Sequence, residues 1–219
     1  PGLTRVDDRA VPQTCIISES VRTMYDIFLL IVLLAVFAAL VRDGLWSNTL
    51  TLFNVLLSGL LATSYFEPVA TFLTGNVYGG MVHYWDLIAF TSLFAASTAL
   101  LRMLSKGASG YRLRFHPVVD NFGGMAMGLW AGWITVCVVC FASHLAPLSK
   151  TYMNDTFKPE NKLFFGAAPD RVWVGFVQQL SEGALGTGDA DRVFDPRGEL
   201  LLKYAGRREY LGEQINMFE

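Results

Sequence analysis

Between residues 24 and 148 the chain repeats one pattern: a long apolar block with at most one charge, near its start, then a polar link. The blocks run over residues 24–41, 45–66, 87–101 and 120–148. Crossing a bilayer core takes roughly 20 predominantly apolar residues in a helix. The second and fourth blocks meet that outright. The uncharged parts of the first and third are shorter, but Met24-Tyr25-Asp26 and Tyr84-Trp85-Asp86 extend their starts and Arg42 and Arg102 can snorkel at their ends. Glu67-Pro68 is expected to end the second span, because proline cannot continue the hydrogen-bond ladder and disfavours helix just before itself. A short interfacial turn over 69–73 and a flexible link at Gly75, Gly79 and Gly80 would follow. The pattern predicts an all-α integral membrane protein with four transmembrane helices and a polar C-terminal tail containing short amphipathic helices.

The fourth block carries the most specific internal signal. Gly124, Gly128 and Gly132 are spaced by four, so they line one helix face, and Asp120 stands one step before them. Small residues at this spacing let helix backbones approach closely, which in lipid supplies much of the packing energy. They are read here as helix-packing residues, either within the chain or as a face for a homo-oligomer. Asp120 is expected to cap its own helix, where a carboxylate meets unsatisfied N–H groups and the positive dipole end.

Three segments follow: a polar leader or mis-called extension over 1–23, the four-span membrane domain over 24–148, and a polar tail over 149–219. Met24, directly before the first apolar block, is the expected natural start. In the tail, Pro169-Asp170 should open an amphipathic helix with Val172, Phe176, Val177 and Leu180 on one face, stopped by Gly183. A loop through Gly186, Gly188 and 194–199 should lead to a second short helix over 199–211, interrupted at Gly206. With so little apolar matter the tail would be marginal alone. It should lie on the membrane surface or against an unidentified membrane or envelope protein.

Composition sharpens this division. The chain is 53% hydrophobic and 16% charged, well below the quarter of charged residues usual in soluble domains. Residues 149–219 hold nine Lys/Arg and eleven Asp/Glu. A net charge of −2 gives no reason to expect a nucleic-acid partner. Basic residues follow the first and third spans (Arg42, Arg102, Lys106, Arg112, Arg114), and the link between the second and third has none. The positive-inside rule then puts those links in the cytoplasm and both termini outside.

Candidate chemistry is sparse. His83, His116 and His144 stand on separate links or ends, no two at ligand spacing, so no metal site is expected. Cys137-Val-Val-Cys140 has the letters of a redox motif but lies deep in an apolar helix, so two packing side chains are expected. No catalytic motif and no cofactor-binding loop is present. Asn154-Asp155-Thr156 fits a glycosylation sequon. Asp26, Asp86 and Asp120 are read at span ends, leaving no ionisable group deep in a span to mark an ion path. Asp26 and Arg42 are sixteen apart, as are Asp86 and Arg102, which hints at a duplicated hairpin.

Four spans, basic links after the first and third, and Asp120-x-x-x-Gly124-x-x-x-Gly128-x-x-x-Gly132 together resemble the colicin V production protein (CvpA) family. Met24-Tyr25-Asp26 also looks like the start of a member. Arg42-Asp43-Gly44 falls where members carry a Gly-x-basic-basic-Gly turn, with Leu40 and Asp43 replacing the first glycine and the second basic residue. The resemblance covers residues 24–148. It implies a multi-pass protein of the bacterial inner (plasma) membrane, tied to colicin V toxin production or export and to envelope homeostasis. The expectation is a non-enzymatic scaffold or assembly factor in the lipid bilayer. The alternative is an oligomeric small-solute pore or transporter, with Asn54, Ser58, Thr91 and Ser92 facing water. A membrane enzyme ranks last, because no convergent polar cluster is visible.

Overall fold

A computed structural model describes residues 13–76, 82–108, 116–146, 157, 162–183, 194–195 and 197–216, all helical or irregular among those residues. Arg112, Arg114, Gly79, Gly80, Gly186, Gly188, the sequon at 154–156 and leader residues 1–12 lie outside them, as do the side chains of Cys15 and His83.

The helices are α1 (Gln13–Leu40), α2 (Leu45–Asn76), α3 (Val82–Ala108), α4 (Pro117–Leu145), α5 (Pro169–Glu182) and α6 (Leu200–Asn216). The first four contain stretches long and apolar enough to cross a membrane: Glu19–Leu40, Leu45–Asn76, Tyr84–Gly107 and Pro117–Leu145. The protein is therefore a multi-pass membrane protein with shorter helices following its spans. α4 is central. It packs on α1, α2 and α5, while α2 pairs with α3. Leu100, Met103 and Leu104 of α3 are exposed, as expected of a face turned to lipid.

Three boundaries differ from the sequence reading. α1 begins at Gln13 and passes Met24 without a break. α2 runs through Pro68 to Asn76 instead of stopping at Glu67. A proline inside a helix removes one ladder bond. Here, however, the stripe Ala62, Phe66 and Ala70, with Leu73 against it, continues at helical spacing across the proline and stays in the core. In lipid, opening the backbone would also expose more unpaired polar groups than the proline does. α6 likewise continues through Gly206. The ~1 kcal/mol penalty of a helical glycine is set against anchors on both sides, Tyr204 and Arg207, described below.

The glycines of α4 face the chain's own α1 and the turn that follows it. A Cβ on Gly124 would stand 3.0 Å from the Asp43 carbonyl oxygen and 3.2 Å from the Leu45 nitrogen. On Gly128 it would meet Leu40 and Asn48, and on Gly132 it would come within 3.0 Å of Leu33. The α1–α2 turn can approach α4 this closely because its neighbour has no side chains there. Asn48, wholly buried, ties the junction together: its amide nitrogen donates to the carbonyls of Leu40, Asp43 and Gly124 at 2.9, 3.0 and 2.8 Å.

Asp120 serves a different helix from the one expected. The N-cap position of α4 is His116, followed by Pro117, and Asp120 lies one turn inside. Its carboxylate points sideways and accepts the N–H of Leu45, the first residue of α2, at 2.8 Å. Proline at the first position already removes one of α4's orphan donors, whereas the start of α2 presents unpaired N–H groups within reach. Gly44 allows the approach, since a Cβ there would sit 2.8 Å from the Asp120 carboxylate.

Candidate functional site

At the opposite end of the bundle the tail meets all four spanning helices. α1 contributes Asp26, which is buried at the tail-side end of the span, just before the uncharged run of residues 27–41. A lone carboxylate there would be costly. Asp26 accepts the backbone N–H groups of Phe164 and Phe165 at 2.7 and 3.2 Å. Both phenylalanines have left-handed backbone, φ 53° and 52°, followed by Gly166 at 94°. Successive N–H groups in such a turn converge on one point and form an anion-binding nest. The strain of two non-glycine residues at positive φ, of order 1–3 kcal/mol each, is offset by placing this nest on a buried charge.

From the nest the chain turns into α5. Ala168, also left-handed, is its N-cap, and Pro169 and Asp170 begin the helix, both buried. Asp170, Trp173, Val174 and Val177 form the inward face at spacings 0, 3, 4 and 7. This face is rotated from the one read off the sequence. Val172 is exposed and Trp173 is almost wholly buried. The reason is α2. Trp173 lies over Gly59, where a Cβ would stand 2.6 Å from the indole, and its Nε1–H donates to Thr63 Oγ1 at 3.0 Å. A notch sized for an indole, with an acceptor at its edge, outweighs the aliphatic Val172.

One turn earlier Asp170 meets α4. Its Oδ2 lies 3.1 Å from His144 Nε2, and both side chains are buried. Burial alone would push the Asp170 carboxyl up, but the hydrogen bond and charge interaction with His144 outweigh it and hold the carboxyl below the ordinary aspartate range. Cys140, one turn before His144 on α4, completes a trio. One donor atom each from Cys140, His144 and Asp170 lies within 4.8 Å of the others. The phenol of Tyr25 is beside Cys140 and Ser143, and Phe157 packs edge-on against both Tyr25 and His144. Leu29, Val136 and Leu163 close the apolar wall.

α6 fastens to α2 and α3. An Asp195 carboxylate accepts the N–H groups of Glu199 and Leu200, at 2.8 and 3.2 Å, and starts the helix. Arg207 then pairs with Asp86 at the start of α3, and the Tyr204 hydroxyl points at the same carboxylate. Lys203 reaches Glu67 of α2 at 2.9 Å in a well-exposed pair. The two aromatic-Asp dipeptides of the first and third spans therefore do parallel work, each binding a segment of the tail. Trp173, Val174, Val177, Leu200 and Tyr204 belong to the same apolar core as Phe66, Phe90 and Phe141. The tail is thus packed on its own bundle, not set apart from it.

The residues named from sequence fall elsewhere. Asp120 and Gly124, Gly128 and Gly132 gather at the α1–α2 turn. Arg42, Arg102 and Lys106 are exposed and stand at the end away from the tail. Asn54 and Ser58 are buried. The Ser58 hydroxyl donates to the Asn54 carbonyl, and Ser105 donates to the Asn54 side chain. Thr91 and Ser92 donate to carbonyls of their own helix. Sequence reasoning gave Asp26, Cys140 and Asp170 other roles (a span end, a packing side chain, a helix start) and passed over Trp173. The spacing Cys140-x-x-x-His144 was legible, but its third member lies 26 residues beyond His144, across a link.

Among known proteins, the sequence model of a family described as colicin V production protein matches residues 25–158. No curated protein and no solved structure matches the chain.

Proposed function

The chain belongs to the colicin V production protein family, and from that premise we propose that it is a non-enzymatic scaffold or assembly factor of the bacterial inner membrane, supporting toxin production or secretion or envelope homeostasis. The observation that carries this reading is the attachment of the tail to all four spans, through Asp26, Thr63 and Gly59, Asp86, and His144. A tail held at four points presents one fixed surface beyond the bilayer. On that surface Phe165, Val172 and Leu202 stay exposed for a membrane or envelope partner. Arg42, Arg102 and Lys106 lie at the far end, and the excess of basic residues in cytoplasmic links then directs the tail and both termini outward.

The test is photo-crosslinking in native membranes from a probe at Val172, with mass spectrometry of the adducts. A discrete envelope protein, lost when the tail is displaced by Trp173→Ala, is the expected result. Adducts to lipid alone, or solute flux above a lipid control in vesicles holding the purified protein, would reject the scaffold reading.

A further inference from the structure

We propose that Cys140, His144 and Asp170 form a binding site for a divalent transition metal of the zinc type, which locks the tail onto the bundle. The inference is independent of the scaffold reading and rests on four observations. First, the donor set is a thiol, an imidazole and a carboxylate, from α4 and α5, brought within 4.8 Å of one another. Zinc takes these three donors at bond lengths of ~2.0–2.3 Å, which sets its ligand atoms roughly 3–4 Å apart. Only a small contraction separates the trio from that arrangement. Second, Cys140 and His144 are one helical turn apart, so both project from the same side of α4, toward Asp170 in the first turn of α5.

Third, two polar groups are buried within or beside the trio with few partners: the Asp170 carboxylate, held by His144 and the first backbone groups of its own helix, and the Tyr25 hydroxyl, beside Cys140 and Ser143. Tyr25 is 7% exposed and Asp170 3%. Such groups are costly to bury without strong partners. A metal gives both a use. Oδ1 becomes the second oxygen of a bidentate carboxylate, completing four-coordination, and the Tyr25 hydroxyl, beside Cys140, donates to the metal-bound thiolate. Outer hydrogen bonds of this kind orient ligands and tune affinity.

Fourth, the charges balance. A thiolate and a carboxylate against a dication sum to zero, which suits a pocket walled by Leu29, Val136, Phe157 and Leu163. Binding releases to solvent the Cys140 thiol proton and the proton that His144 Nε2 holds toward Asp170, leaving a neutral imidazole, and replaces the direct His144–Asp170 hydrogen bond with two bonds to the metal. Soft thiolate and imidazole donors favour zinc over magnesium or calcium.

The test uses the full-length protein purified in lipid nanodiscs, stripped with chelator and titrated with Co2+ and Zn2+. The expected result is one equivalent bound, a near-ultraviolet thiolate-to-cobalt band, and its bleaching by zinc. Cys140→Ser should abolish the band, Cys137→Ser should keep it, and Tyr25→Phe should weaken affinity by about tenfold. Helix content by circular dichroism and a single monodisperse peak verify that each variant is folded. If folded wild-type protein shows no cobalt–thiolate band and no zinc retained after dialysis, the site does not exist. Equal loss of the band in Cys137→Ser would also overturn the assignment, by removing its dependence on Cys140.

Discussion

The two ends of the helix bundle solve the same problem with the same group and differ in everything else. At one end the Asp120 carboxylate accepts a backbone N–H at the start of α2. At the other the Asp26 carboxylate accepts two backbone N–H groups from the strained turn before α5. The first junction is compact, built on glycines that let a short turn lie against α4. The second gathers residues more than a hundred positions apart and adds an ion pair, an indole in a notch and a buried imidazole–carboxylate contact. A four-helix bundle in lipid needs its turns closed, and the Asp120 end does only that. The Asp26 end does more than closure requires, and there a function is to be sought.

Truncating the anchor of the elaborate end should have the largest effect. Trp173→Ala empties the space over Gly59 and removes the hydrogen bond to Thr63, and the loss should be about 3–5 kcal/mol, read from denaturant unfolding of the purified protein in micelles. At the simple end, Asp120→Ala removes one cap from α2 and should cost only about 0.5–2 kcal/mol in the same assay. A cost for Asp120→Ala equal to that of Trp173→Ala would erase the distinction between the ends.

Legibility follows the same line. The spans were readable because uncharged length is a local property, and the ladder because four-residue spacing on one helix fixes a face. Asp120 reads as the cap of its own helix, since sequence separation hides that Leu45 of α2 is the neighbour it binds. The partners of Asp26 are not legible, because nothing in the residues around it announces that the N–H groups of Phe164 and Phe165 will bind it. The face of α5 came out one step off because aliphatic periodicity favoured Val172, while the notch at Gly59 that selects Trp173 is more than a hundred residues away.

Acidity should separate the ends further. The Asp170 carboxyl is held below its ordinary range in the folded protein, so the folded state binds its proton less readily than the unfolded chain. The stability this supplies is fully present above the unfolded value of about 3.9. It is lost as pH falls below that and through the lower folded value. Tail detachment, followed by Trp173 fluorescence, should therefore begin as pH drops below about 4, and Asp170→Asn should remove that component of the pH dependence. The smallest effect belongs to the exposed Lys203–Glu67 pair. Lys203→Ala should shift stability by less than about 0.5 kcal/mol, measured by the same unfolding curves.

The central claim is that the tail is fastened to the spans, and amide hydrogen exchange in nanodiscs reads it directly. The N–H groups of Phe164, Phe165 and residues 173–182 should exchange slowly in the intact protein, and Asp26→Ala should accelerate exchange at Phe164 and Phe165 before it affects α4. Exchange of these tail amides in the wild-type protein at the rate of an unstructured chain would contradict the account.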